Sequence, residues 1–352
     1  MKSVYKTVFG VIMGNQFETI IGSEAWMGRD FLGNDDWVFR LEAKDLREIK
    51  FALDQAIKKG LPFHQVSEKE FPLPGLHNAF GNLVNEVGNG RGFVVIKGIP
   101  VESYNENEIK YISLGLCSYF GKLIPQSLQG DWINHVIDLS DQNEALKPEL
   151  DHIVKRKQLR TNHRGGELDF HTDTTDVFAL FCLRSAKTGG TSRLVSTATL
   201  HNLIGKNNPK YLKALYDGYF YMSRPDDNVK SVSKVSAKRV PVFKRVGSRV
   251  DGYYISQVVQ RAVDHGGVHY TAIENDAREE LQRIANKPGI AHEFDLEPGD
   301  LLVANNRAVF HARYDYEDYP EVDRRRHLFR LWMANTPEMM SETFVSSSEK
   351  HS

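Results

Sequence analysis

The chain has 352 residues, with 45 Lys and Arg against 46 Asp and Glu, a net charge of −1, and 41% hydrophobic residues. That balance excludes a protein that holds nucleic acid or an anionic membrane by charge alone, and the mix is globular rather than disordered. Two cysteines, Cys117 and Cys182, exclude a disulfide framework, and no apolar run approaches the ~18 residues of a membrane span.

Met1 to Met13 is apolar only briefly and meets no small-residue cleavage site, which suits a cytoplasmic protein. Ala43 to Lys59 places Leu46, Ile49, Leu53 and Ala56 at helical spacing, with Gly60 behind as a cap. Leu76, Phe80, Leu83, Val84 and Val87 repeat that pattern. Phe93 to Lys97 reads as a short strand, and Glu106 to Phe120 as a third helix. From about residue 133 the texture turns to strands: Ile133 to Leu139, Asp169 to Asp173, Val177 to Leu183 and Ser192 to Ser196. Asn202 to Tyr216 reads as helix. Gly247-Ser joins the strands Val240 to Val246 and Val250 to Ile255 in a hairpin. A last helix, Ala277 to Asn286, precedes strands at His292 to Leu296, Leu301 to Ala304 and His327 to Met333.

Many short strands after a helical first third point to an α+β chain with a mainly β core, a jelly roll braced by N-terminal and inserted helices. No composition break marks a boundary. The expectation is one elaborated domain over 1–352, helical at about 40–125, β-rich at about 130–335, with a flexible tail at 336–352.

Three places carry chemistry. His171-Thr-Asp173 puts an imidazole and a carboxylate two residues apart, on one face if the segment is a strand. His311 follows about 140 residues on, just after the strand before it. Arg330 lies in Arg326-His-Leu-Phe-Arg-Leu-Trp-Met333, where Arg326, Leu328, Arg330 and Trp332 share a face. Two histidines and one carboxylate suit an Fe(II) that keeps open positions, though zinc can bind the same three groups. A buried arginine requires an anion, and a dicarboxylate cosubstrate would supply one.

These residues resemble the Fe(II)/2-oxoglutarate-dependent oxygenases of the taurine dioxygenase (TauD/TfdA), clavaminate synthase-like superfamily. The family pattern runs HxD or HxE, Gly-Gly-x-Thr, a distal His and a later Arg. Here it reads His171-x-Asp173, Gly189-Gly-Thr-Ser192, His311 and Arg330. Glu297 to Asn306 and Gly92 to Pro100 match the family style, so the resemblance spans roughly 75 to 335.

The resemblance implies a double-stranded β-helix with Fe(II) on His171, Asp173 and His311. It implies 2-oxoglutarate on Arg330, with Arg326 the alternative, helped by the hydroxyl of Ser192 or Thr191, since Ser stands where the family has Thr. It implies O2 as oxidant, succinate and CO2 as by-products, and hydrogen abstraction from a C–H bond of a small polar metabolite such as an amino acid. Hydroxylation, desaturation and ring closure are the open outcomes. Asp176, Arg164 and Gln126 are candidate substrate contacts. A metal-dependent hydrolase or isomerase, or a silent metabolite-binding protein, stands as the competing reading. No nucleic-acid or membrane partner is expected.

Overall fold

The computed structural model describes residues 17–127, 130–140, 165–222 and 234–335. Arg164, the Met1 to Met13 start and the 336–352 tail lie outside them.

The first third runs β1 (Val38–Arg40), α1 (Ala43–Lys58), α2 (His77–Asn89), β2 (Phe93–Lys97), α3 (Glu106–Cys117), β3 (Lys122–Ile124) and β4 (Asn134–Val136). Next come β5 (Leu168–His171), β6 (Val177–Arg184), β7 (Thr188–Gly189), β8 (Ser192–Ser196), α4 (Thr197–Asn207) and α5 (Pro209–Asp217). β9 (Phe243–Val246), β10 (Arg249–Gly252), α6 (Ser256–Gly266) and α7 (Ala272–Ala285) follow. β11 (His292–Phe294), β12 (Leu301–Asn305), β13 (Val309–Arg313), β14 (Tyr316–Glu317) and β15 (His327–Ala334) complete the set.

Two sheets form a jelly roll. The larger has the order β1-β2-β12-β6-β15-β3, with β4 also on β15. The smaller has the order β11-β8-β13-β5. Strand alternation sorts their side chains into three cores. Ala179, Phe181, Val303, Phe329 and Leu331 face outward from the larger sheet and bury the apolar faces of α1 to α3. Phe170, Val195, Phe310 and Ala312 do the same from the smaller sheet against α4, α5 and α7. Phe178, Cys182, Leu302, Ala304 and Leu328 point inward and meet Leu194, Phe294 and Val309 between the sheets. Helices therefore cover both outer faces, and the space between the sheets is left for a site.

Local chemistry explains where expected and observed elements differ. The helix expected over 202–216 is two helices that break at Asn208-Pro209. Proline cannot sit in a helix interior, and the Asn208 side chain caps α5 through the Lys210 N–H. α7 starts five residues earlier than its apolar pattern suggests because Thr271 and Glu274 form a capping box. α6 has Ile255 at its N-cap and no side-chain cap, so it carries no start signal. Among the described residues no helix is long and apolar enough to cross a membrane.

Candidate metal centre

β13 lies between β8 and β5, and this position builds the site. His311 stands directly opposite His171 of β5 and Leu194 of β8. The two imidazoles, 140 residues apart in the chain, have ring centroids 4.2 Å apart. His311 is thus the centre of a strand, not the residue after one, and the Phe178 ring packs 4.3 Å from it. The expected strand over 169–173 ends at His171, so Asp173 lies beyond the ladder.

Asp173 is placed instead by Asn306, which is fully buried. Its side-chain oxygen accepts the Asp173 N–H at 2.9 Å. Its amide nitrogen donates to the Asp173 carbonyl and, at 2.8 Å, to the Thr175 carbonyl. One carboxamide thereby replaces the missing ladder. Metal-ligating atoms of His171, Asp173 and His311 all fall within 4.8 Å of one another.

The protonation states suit a divalent metal. His171 donates Nδ1–H to the Asp169 carbonyl at 2.8 Å, which orients the ring and leaves Nε2 as its metal-ligating atom. Burial, with a second imidazole alongside, pushes His311 well below its ordinary pKa and keeps it neutral; its Nδ1 has no hydrogen-bond partner. Burial alone would raise Asp173. The Arg330 cation, the two imidazoles and the Trp332 N–H outweigh it and hold the carboxyl below its usual range. Two imidazoles and one carboxylate are the donor set that divalent iron accepts.

A cavity of about 800 Å³ surrounds these groups. Gln126, Ser192, Arg326 and Arg330 also line it, whereas Thr191 does not. Arg330 donates to both Asp173 oxygens at 3.0 and 3.2 Å and to the Gln126 side chain at 3.0 Å. Gln126 in turn donates to the Arg330 carbonyl at 2.6 Å. Asp176 does not line the cavity: it takes the Asn335 N–H at 3.0 Å and lies 3.5 Å from Arg307.

Arg326 is 6% exposed, and its Nη1 has no hydrogen-bond partner among the described residues. Gly190 adopts φ +78°, and a Cβ there would lie 3.2 Å from Arg326 Nε, so the Gly-Gly element lets the guanidinium approach the backbone.

Asn306, Arg313 and Tyr316 are not among the residues that the sequence alone marks as site candidates. Arg313 lines the cavity two residues after His311, and strand alternation would have found it had β13 been recognised.

The model of the taurine catabolism dioxygenase TauD, TfdA family matches residues 57–332. The taurine hydroxylase-like protein SAT17 of Stachybotrys chartarum is 27% identical over 87% of this chain and 77% of its own. FR-33289 synthase of Streptomyces rubellomurinus is 23% identical over 89% and 90%. Among solved structures, an asparagine oxygenase in complex with Fe(II), 3-hydroxyasparagine and succinate superposes with a TM-score of 0.64 at 16% identity, covering 85% of this chain and 93% of that one. The non-heme iron oxygenase OrfP with Fe and alpha-ketoglutaric acid gives 0.60 at 13% identity, covering 87% and 96%.

Proposed function

The chain belongs to the taurine catabolism dioxygenase TauD, TfdA family, and from that membership and the His171, Asp173, His311 cluster we infer an Fe(II)- and 2-oxoglutarate-dependent oxygenase. The observation that carries the reading is the convergence of three metal-ligating atoms within 4.8 Å inside a cavity large enough for two small molecules. Bound Fe(II), with 2-oxoglutarate and O2, supplies the power to break a C–H bond, leaving succinate and CO2.

The chain's own residues bind, orient and exclude water. His171, Asp173 and His311 would hold the metal, with Asn306 fixing the Asp173 backbone. Arg326 and Ser192 are the better pair for the far carboxylate of 2-oxoglutarate. Arg326 is buried with an unpartnered nitrogen, whereas Arg330 already serves Asp173 and Gln126. Arg330, held by Gln126 beside the metal site, would then receive an acidic group of the substrate. Leu180, Leu194, Leu302 and Leu328 form an apolar wall that keeps bulk water from the reacting atoms.

The substrate class we propose is a small polar metabolite, an amino acid or a related amine or carboxylate. The mixed charges of the cavity, Glu167 and Asp169 with Lys234, Arg261 and Arg330, support it. So do a relative named taurine hydroxylase-like and structural neighbours solved in complex with 3-hydroxyasparagine and (3S)-hydroxy-L-Arg. Two buried free thiols, Cys117 and Cys182, fit a cytoplasmic location.

The test is succinate formation by the iron-loaded protein with 2-oxoglutarate and O2 across a panel of amino acids and sulfonates. Substrate-stimulated succinate that His171→Ala abolishes is the expected result. Zn(II)-supported hydrolysis with no 2-oxoglutarate consumption would replace this reading with the hydrolase.

A further inference from the structure

A second buried arginine lines the same cavity. Arg313 is 5% exposed. It follows His311 by two residues, so both side chains leave β13 on the inner face, about 6.6 Å apart along the strand. Its partner across the ladder is Ser192 of β8. The Tyr316 ring packs against both cations, with its centre 4.5 Å from the Arg313 guanidinium carbon and 5.3 Å from that of Arg326. β14 sets that ring in place by pairing with β7, immediately before Gly190.

The hydrogen bonding of this pair is incomplete. Arg313 Nη2 donates to the Gly166 carbonyl and Nε to the Tyr314 carbonyl, while Nη1 has no partner among the described residues. Arg326 Nη1 has none either. Among the described residues neither guanidinium forms an ion pair with a carboxylate. Two like charges buried side by side are costly unless an anion joins them.

We propose that Arg313 is a second cation of the cosubstrate subsite, closing with Arg326 and Ser192 on the far carboxylate of 2-oxoglutarate. This rests on the oxygenase reading above and adds a residue to it. Arg313 leaves the same face of β13 as His311 and lines the same cavity, so a dicarboxylate held at the metal by one end can present its other end to this pair. Two guanidiniums can each give a carboxylate oxygen a charge-assisted bond. A 2-oxoacid with an uncharged side chain would leave both cations buried and unpaired, so the pair selects for the dicarboxylate.

The experiment compares wild type with Arg313→Gln, Arg313→Lys and Arg326→Gln. It measures 2-oxoglutarate binding by calorimetry on anaerobic, Mn(II)-loaded protein, and thermal melting of the metal-free protein. The expected result for Arg313→Gln is 2-oxoglutarate binding weakened roughly tenfold or more, with Mn(II) affinity retained and a metal-free melting temperature equal to or above wild type. Arg313→Lys should recover part of the affinity. Binding within about twofold of wild type in Arg313→Gln, with a lowered melting temperature, overturns the proposal and makes Arg313 a strut for Gly166. In that case Arg326→Gln still loses 2-oxoglutarate, and the oxygenase reading stands. A wild-type protein that binds Mn(II) but no 2-oxoglutarate overturns both.

Discussion

Replacing Asn306 by Ala tests how the metal centre is held. The side chain is fully buried, and its three hydrogen bonds all go to backbone groups of 173 and 175. Alanine leaves one N–H and two carbonyls without their partner. A buried polar group that loses its partner costs ~1–3 kcal/mol, and some of the three will recruit water, so the loss should total roughly 3 to 5 kcal/mol. The freed Asp173 backbone should also weaken metal binding by about 10- to 100-fold, the effect typical of groups that support a ligand. Urea unfolding of the metal-free protein reads the first quantity, and Mn(II) titration the second. Asn305→Ala is the control: among the described residues that side chain accepts just the Arg307 N–H at 3.0 Å, and the cost should stay near ~1 kcal/mol. Asn306→Asp keeps the acceptor but turns a carboxylate oxygen toward the Asp173 and Thr175 carbonyls in a fully buried place, so it should cost at least as much as alanine. If Asn306→Ala unfolds within about 1 kcal/mol of wild type and binds Mn(II) equally well, Asp173 is not held by this carboxamide.

Three further outcomes follow from the same geometry. Burial pushes His292 down to about 4 and His311 well below its ordinary value, so both are neutral when folded and charge on unfolding below about pH 6.5. The unfolded state then binds more protons, so metal-free stability should fall as pH drops from about 6.5 toward 4; His292→Phe should remove roughly 3 kcal/mol of that fall in pH-dependent urea midpoints. Gly190→Ala must adopt φ +78° and push on Arg326, so it should cost ~1–2 kcal/mol and weaken 2-oxoglutarate binding, read by denaturation and calorimetry. Gln126→Leu removes the acceptor on Arg330 Nε and the donor on its carbonyl, so it should raise the substrate KM several-fold while leaving Mn(II) affinity unchanged, read by steady-state kinetics and titration.

Much of the site was legible before any fold. Metal-ligand chemistry depends on residue type and order, and His171, Asp173 and His311 announced themselves on both counts. Strand Phe93–Lys97 and helix Ala43–Lys58 were readable because their apolar periodicity is local. The helix break at Pro209 carried its own signal in the proline, which an apolar pattern running through it masked.

The order of residue types was enough to give the inventory: a mainly β core, two histidines and a carboxylate that come together in the fold, and two arginines on one face at the last strand. It could do so because alternation and side-chain chemistry are properties of short stretches. Which arginine serves which partner was decided only in three dimensions. Arg330 reaches Asp173 because β15 crosses next to β6, while Arg326 and Arg313 meet around Tyr316 because β14 pairs with β7. Asn306 reaches the Asp173 backbone across 133 residues of chain. These contacts are non-local. They depend on register between distant strands, which the sheets set by burying their apolar faces.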